Sequence, residues 1–96
     1  MYQVYSISTP DNKYRYYGTT KSFASRISLH VSRFNGNHPY GSNCFIYEVL
    51  RSKVKNFRDC KIEVLRNFKN KADALRMEQR LIEKDGNLNS YNAINE

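Results

Sequence analysis

The chain has 96 residues, a length that predicts one small domain over residues 1–96 and excludes a second recognition domain within that span. Sixteen Lys and Arg residues against nine Asp and Glu give a formal charge of +7, which favours nucleic acid or another anionic partner. The apolar runs are too short to span a membrane and the N-terminus lacks the pattern of a signal peptide, so we expect a cytoplasmic protein.

The first twenty residues alternate polar residues with aromatic or β-branched ones on both sides of a short segment, residues 9–13, that is rich in turn formers. This pattern is typical of two strands joined by a tight turn. We therefore predict an N-terminal hairpin that carries Tyr5 on its first strand and Tyr16 on its second.

Helical spacing follows over residues 21–34, where Ser22 is available as an N-cap. Residues 35–41 are dense in turn formers and predict a loop, after which residues 43–51 resume a short helix and residues 53–59 form a basic connector. The two cysteines, Cys44 and Cys60, have no partner at metal-ligand spacing. We expect both to be free, partly buried thiols.

Alternating charged and apolar residues over 61–68 predict a third strand. Residues 71–85 form the clearest helix, which Gly86 ends, and an irregular segment is expected from Asn87 onward. The predicted fold class is α+β, with a small three-stranded mixed sheet, made of the hairpin and the third strand, flanked by three helices.

The last helix places a carboxylate among apolar residues. At about 100° per residue an apolar arc collects Ala74, Leu75, Met77, Leu81 and Ile82, and Glu78 falls inside this arc. Burying a charge there is costly unless a cation, a hydrogen-bond donor or a metal compensates it. Glu78 is therefore either one partner of an ion pair at the edge of the core or a metal ligand.

The first helix offers groups of complementary chemistry. Arg26 and His30 are one turn apart and share a side of the helix at the border of its apolar stripe. An Arg can hold a phosphate through its planar fork of donors, and a His can exchange a proton near neutral pH. Together with Tyr5, Tyr16 and Glu78, they have the chemistry that a metal-dependent phosphodiesterase needs.

The order of these residues resembles the GIY-YIG nuclease family over nearly the whole chain, and is closest to its phage-type homing endonucleases. The two signature triplets of the family look like residues 3–5, Gln-Val-Tyr, and residues 16–18, Tyr-Tyr-Gly; its Arg-x-x-x-His signature looks like residues 26–30. The remaining family positions match Glu78, Asn92 and a loop histidine, His38. The triplets depart from the pattern at Gln3, Val4 and Tyr17.

The resemblance implies a metal-dependent endonuclease that hydrolyses DNA. In that role Tyr5 is the general base or orients the attacking water, and Arg26 clamps the scissile phosphate. Glu78 holds Mg²⁺, for which Mn²⁺ can substitute. Tyr16 is expected to hydrogen-bond the water or the phosphate, and His30 to relay the proton. The last members of the expected catalytic set are His38 and Asn92, with Asn92 fixing the last helix or the tail by hydrogen bonds.

Two alternatives stay open at this point. In the first, the chain is a basic nucleic-acid-binding module that has the same fold but no cleavage activity. In the second, it is a small α+β interaction domain in which Arg26 and Glu78 form an ordinary ion pair. The resemblance leaves open whether the domain is free-standing or the catalytic part of a longer protein, and it points to a phage or virus protein that acts in the host cell. No feature of the sequence sets the oligomeric state or the DNA specificity.

Overall fold

A computed structural model of the chain describes residues 1–38, 40–42 and 44–89. Three strands, β1 (Tyr2–Ser8), β2 (Arg15–Thr20) and β3 (Lys61–Phe68), form one sheet in the order β2-β1-β3. The α+β class, the hairpin and the third strand are confirmed. The prediction of a mixed sheet was wrong, because both pairs are antiparallel. Ser8 faces Lys61, so the chain returns to the end of β1 before it starts β3.

Three helices cover the sheet: α1 (Phe23–Phe34), α2 (Phe45–Lys53) and α3 (Lys71–Asp85). The bounds of α3 match the prediction, α1 begins two residues later than predicted, and the predicted connector contains a short 3-10 helix, Phe57–Asp59. Ser22 is the N-cap residue of α1 as predicted, although its side chain makes no capping hydrogen bond. None of the helices within the described ranges is long and apolar enough to cross a membrane.

The central strand β1 is buried on both faces. Tyr5 and Ile7 point into the main core, where side chains of α1, α2 and the 3-10 helix surround them. Val4 points to the opposite face, toward α3, and is completely buried. Cys60 belongs to the main core and Cys44 packs against it, and both are free thiols as predicted.

Helix α3 presents a narrow apolar face to the sheet. Ala74 is completely buried, whereas Leu75, the next residue, is 41 % exposed. The prediction that Leu75 lies on the buried arc was therefore wrong: α3 packs on β2 and β1 more than on β3, and a rotation of 100° from Ala74 brings the next side chain out to solvent. Glu78 lies one turn after Ala74 and is half-buried.

The segment after α3 is helical at residues 87–89, where an irregular segment was predicted. Asn87 accepts the N–H of Arg15 at 2.8 Å and donates to the carbonyl of Lys13 at 2.7 Å. Asn89 makes the same pair of bonds to Tyr17: it accepts the Tyr17 N–H at 2.8 Å and donates to the Tyr17 carbonyl oxygen at 2.8 Å. Two amide side chains thus take the place of a fourth strand along the open edge of β2.

Between these two asparagines, Leu88 is completely buried and belongs to the same core cluster as Tyr5. The three residues, which we call the Asn-Leu-Asn clamp, attach the end of α3 to β2 by hydrogen bonds and to the core by apolar burial. Because Tyr16 lies between two clamped residues of β2, the clamp also fixes the strand that carries it.

We expect Asn89→Ala to lower the free energy of unfolding by about 2 kcal/mol, because two backbone groups of Tyr17 lose their partners. Urea unfolding measures the effect. The matched control is Asn67→Ala, since Asn67 is exposed on β3 and, within the described part of the chain, its side chain makes no hydrogen bond. Equal stability of the two variants would contradict a structural role for the clamp.

Candidate active site

Three side chains from three elements form a hydrogen-bonded chain in the core. The Tyr5 hydroxyl of β1 lies 2.9 Å from Nε2 of His30 on α1, and Nδ1 of His30 lies 2.8 Å from the Tyr47 hydroxyl on α2. A neutral imidazole has one donor and one acceptor nitrogen, so one tyrosine donates to His30 and the other accepts from it. Sequence reasoning missed Tyr47, which belongs to no motif.

His30 is buried at 3 % exposure, and the ring of Phe57 stacks on it at 5.6 Å with an interplanar angle of 8°. Burial lowers the pKa of His30 to about 4, and the positive charges of Arg26 and Arg33 act in the same direction. The imidazole is therefore neutral at physiological pH and holds Tyr5 in place through a hydrogen bond.

The absence of a side chain at Gly18 makes room for Tyr5. A Cβ atom at position 18 would lie 2.5 Å from both Cζ and the hydroxyl oxygen of Tyr5. Gly18 pairs with Tyr5 across the β1–β2 ladder, so neither backbone can move apart without breaking the sheet. The glycine of the second triplet is thus required by the tyrosine of the first.

Tyr16 is the other phenol of this site. Its ring lies 6.3 Å from that of Tyr5 and 5.6 Å from that of His30. Burial raises the pKa of Tyr16 to about 12, with contributions from Tyr47 and Glu78, while Arg26 opposes the increase. Tyr5 is completely buried, and its pKa is raised well above that of a free tyrosine, mainly by burial and next by Tyr16.

Arg26 and Glu78 approach this cluster from α1 and α3. Burial raises the pKa of the Glu78 carboxyl, while Thr19 and the charge of Arg26 lower it. Among the described residues the ion pairs are Arg15–Asp85 and Arg76–Asp73, so Arg26 and Glu78 do not form the simple ion pair of the interaction-domain hypothesis. The two residues therefore remain separate charges, although the charge of Arg26 lowers the pKa of Glu78.

The surroundings of Glu78 fit a hard cation. Thr19 Oγ1 is buried and has no hydrogen-bond partner within the described ranges, although it lies close enough to the Glu78 carboxyl to lower the pKa of that group. No cluster of three His, Cys, Asp or Glu side chains occurs in the part of the chain that is described. A single carboxylate suits Mg²⁺, which keeps several waters and takes its other ligands from substrate phosphates.

Of the other predicted residues, the structure describes His38 but not Asn92. The hydrogen bonds of His38, as far as the described residues go, stay within its own loop, to the backbone of Tyr40 and from the Ser42 hydroxyl to the His38 carbonyl. Asn92 lies outside the described residues. The structure therefore brings together Tyr5, Tyr16, Arg26, His30 and Glu78.

The first triplet contains a polar residue whose contact was not anticipated. The side-chain oxygen of Gln3 accepts the backbone N–H of Phe23, the first residue of α1, at 3.2 Å. This bond replaces the cap that Ser22 does not provide and fixes the start of the helix that carries Arg26 and His30. The departure from glycine at position 3 thus has a structural function.

We expect acidification from pH 7 to pH 5 to lower the free energy of unfolding by about 2 kcal/mol through His30 alone. Below its ordinary pKa of 6.5 the unfolded chain binds a proton at this residue, whereas the folded chain binds it only near pH 4. Stability therefore rises with pH over this interval. Urea unfolding at several pH values measures the slope, which His30→Gln should reduce; an unchanged slope in this variant would contradict the assignment to His30.

The family model of the GIY-YIG catalytic domain matches residues 1–92 of the chain. No curated protein and no solved structure matches the chain significantly. The matched residues include both strands of the hairpin and all three helices, and the three-stranded α+β arrangement is consistent with this fold. GIY-YIG domains are nuclease domains that act on DNA. The chain therefore belongs to the GIY-YIG family.

Proposed function

We propose that the chain is a metal-dependent endonuclease that hydrolyses DNA phosphodiester bonds. The observation that carries the proposal is the separation of Arg26 and Glu78. A cation and a half-buried carboxylate face the same phenol cluster without neutralising each other. A phosphate with a divalent ion would compensate both charges. If Arg26 and Glu78 formed an ordinary ion pair, the phosphate and the ion would have no room to bind.

In this proposal Arg26 clamps the scissile phosphate with its guanidinium fork, and Glu78 holds the divalent ion. Bound Mg²⁺ would neutralise charge on the phosphoryl oxygens and stabilise the leaving oxygen. Tyr16 hydrogen-bonds the attacking water or the phosphate. His30 keeps the Tyr5 hydroxyl in a fixed direction through the hydrogen bond at its Nε2, whereas its lowered pKa makes it a poor proton relay.

Tyr5 is the general base that the sequence predicts. The raised pKa of its phenol means that the hydroxyl is protonated in the free protein, so this role requires Arg26 and the ion to favour the phenolate. Tyr16 is the second candidate for the base, because it is only partly buried and its pKa of about 12 lies closer to neutrality.

The pH dependence of cleavage separates the two tyrosines. If a phenolate is the base, kcat of the wild type rises with pH, and the phenylalanine variant of that base loses this rise. We therefore compare Tyr5→Phe with Tyr16→Phe in Mg²⁺ between pH 6 and pH 10. Tyr14→Phe is the control that should keep the wild-type profile. If both catalytic-site variants keep the rise with pH, neither tyrosine is the base.

The cleavage activity itself is tested on supercoiled plasmid with Mg²⁺, with Mn²⁺ and with EDTA. Cleavage that requires the ion supports the proposal, and Arg26→Lys should reduce it because an ammonium cannot hold phosphate in bidentate fashion. Arg58→Lys, an exposed position on the 3-10 helix, is the matched control. DNA binding without cleavage under every ionic condition would instead establish a non-catalytic binding module.

A further inference from the structure

An open groove with a volume of about 560 Å³ leads away from Arg26. Its walls come from the ends of β1 and β2 and from the N-terminal turns of α1 and α3. The groove is lined by Tyr2, Thr19, Thr20, Lys21, Ser22, Ser25, Arg26, Leu29 and Lys71. The lining thus contains three cations, several hydroxyl groups and no acidic residue, and its volume is in the range that holds a ligand of nucleotide size.

The positions of these cations are unfavourable for the helices that carry them. Lys21 directly precedes the N-cap of α1, and Lys71 is the first residue of α3. The N-terminus of a helix carries partial positive charge, so a cation there is repelled and an acidic residue is preferred. The first turn of α1 contains no acidic residue to offset Lys21, and the acidic residue in the first turn of α3, Asp73, pairs with Arg76 rather than with Lys71. Helix stability therefore does not explain these lysines.

Within the described part of the chain, these cations have no partner of opposite charge. Neither Lys21, Arg26 nor Lys71 takes part in an ion pair with any residue that the structure describes. Lys21 is placed with Nζ 4.9 Å from the centre of the Tyr2 ring, which holds its charge at the groove wall. An anion in the groove would relieve the repulsion at two helix N-termini and pair with all three cations.

We propose that this groove binds the sugar-phosphate backbone of the DNA strand next to the scissile phosphate, with Lys21 and Lys71 contacting the neighbouring phosphates. The proposal rests on the proposed nuclease function, because Arg26 belongs both to the groove and to the phosphate clamp. The contacts available are ammonium groups and hydroxyls, which bind backbone oxygens without reading bases. The groove therefore contributes affinity that does not depend on sequence.

The test measures DNA binding in EDTA, so that cleavage plays no part, by fluorescence anisotropy over a series of salt concentrations. Two duplexes of unrelated sequence serve as probes. We expect Lys21→Ala and Lys71→Ala each to weaken binding equally for both duplexes and to lower the slope of log K against log salt by about one. The double variant should lower it by about two.

Lys84→Ala is the matched control. Lys84 is an exposed residue in the last turn of α3, the helix that begins at Lys71, and its substitution removes the same charge. Wild-type slopes in the Lys21 and Lys71 variants, with cleavage intact, would overturn the groove assignment and leave the nuclease proposal standing. A wild-type chain that neither binds DNA in EDTA nor cleaves it in Mg²⁺ would overturn both. Loss of binding to one duplex only would show base recognition and contradict a backbone subsite.

Discussion

Glu78→Gln is expected to reduce Mg²⁺-dependent cleavage by about 10³-fold, the loss typical when an electrostatic group of a catalytic centre is removed. The substitution keeps the size of the side chain and removes only the charge that holds the ion. Plasmid cleavage at several Mg²⁺ concentrations measures both the rate and the apparent affinity for the ion, and high Mg²⁺ should restore part of the rate.

The same substitution should not destabilise the protein. Because burial raises the pKa of Glu78, its charged form is disfavoured in the folded state at neutral pH. For an acid with a raised pKa this penalty is present above the folded pKa and disappears as the carboxyl is protonated. Glu78→Gln should therefore unfold at a higher urea concentration than the wild type at pH 7, with a smaller difference at pH 4.

The control for both measurements is Glu83→Gln. Glu83 is exposed on α3 and accepts a hydrogen bond from Gln79 at 3.1 Å. This variant should cleave like the wild type. Equal cleavage by Glu78→Gln and wild type would show that Glu78 is not the metal ligand, whereas a less stable Glu78→Gln would mean that the carboxylate is a structural anchor.

Gly18→Ala is expected to lower the free energy of unfolding by about 3 kcal/mol, the upper part of the range for overpacked cores. The added methyl would overlap the Tyr5 ring, which the His30 hydrogen bond and the surrounding core hold in place. We also expect cleavage to fall sharply at temperatures where the variant is still folded, because Tyr5 must turn away from His30. Urea unfolding and plasmid cleavage measure the two effects.

Gly36→Ala provides the comparison. Among the described residues, Gly36 has no neighbour within 4 Å of the added carbon, but its φ of 75° strains a residue with a side chain. A cost of about 1 kcal/mol without loss of cleavage is expected there. If Gly18→Ala is no worse than Gly36→Ala, the close approach to Tyr5 does not determine the choice of glycine.

Local patterns were sufficient to predict the three strands and α3, because alternation and helical spacing are properties of neighbouring residues. The arc on α3 also located Glu78 correctly on the inward side. The same pattern placed Leu75 in the core, because spacing alone does not show how wide a surface the sheet offers to the helix. Strand direction depends on the path of the intervening helices, which local spacing does not encode.

The contacts that complete the site join residues far apart in the chain. Tyr47 reaches His30 from another helix, and Gln3 reaches the start of α1 from β1. Nothing in their own neighbourhoods distinguishes these residues from other polar side chains of strands and helices. The family pattern indicated Tyr5, Arg26, His30 and Glu78, but the contacts of Tyr47 and Gln3 emerged only from the folded chain.

The Asn-Leu-Asn clamp has a consequence for the way in which the sheet ends. A free strand edge exposes N–H and carbonyl groups that can recruit a strand from another molecule and begin aggregation. In the first half of β2, at Arg15 and Tyr17, the clamp occupies these groups with side-chain amides. Along β3, Leu65 forms a bulge between Val64 and Arg66, and charged residues follow the edge. Side-chain amides thus cover part of the β2 edge of the sheet, and a bulge with charged residues protects the β3 edge.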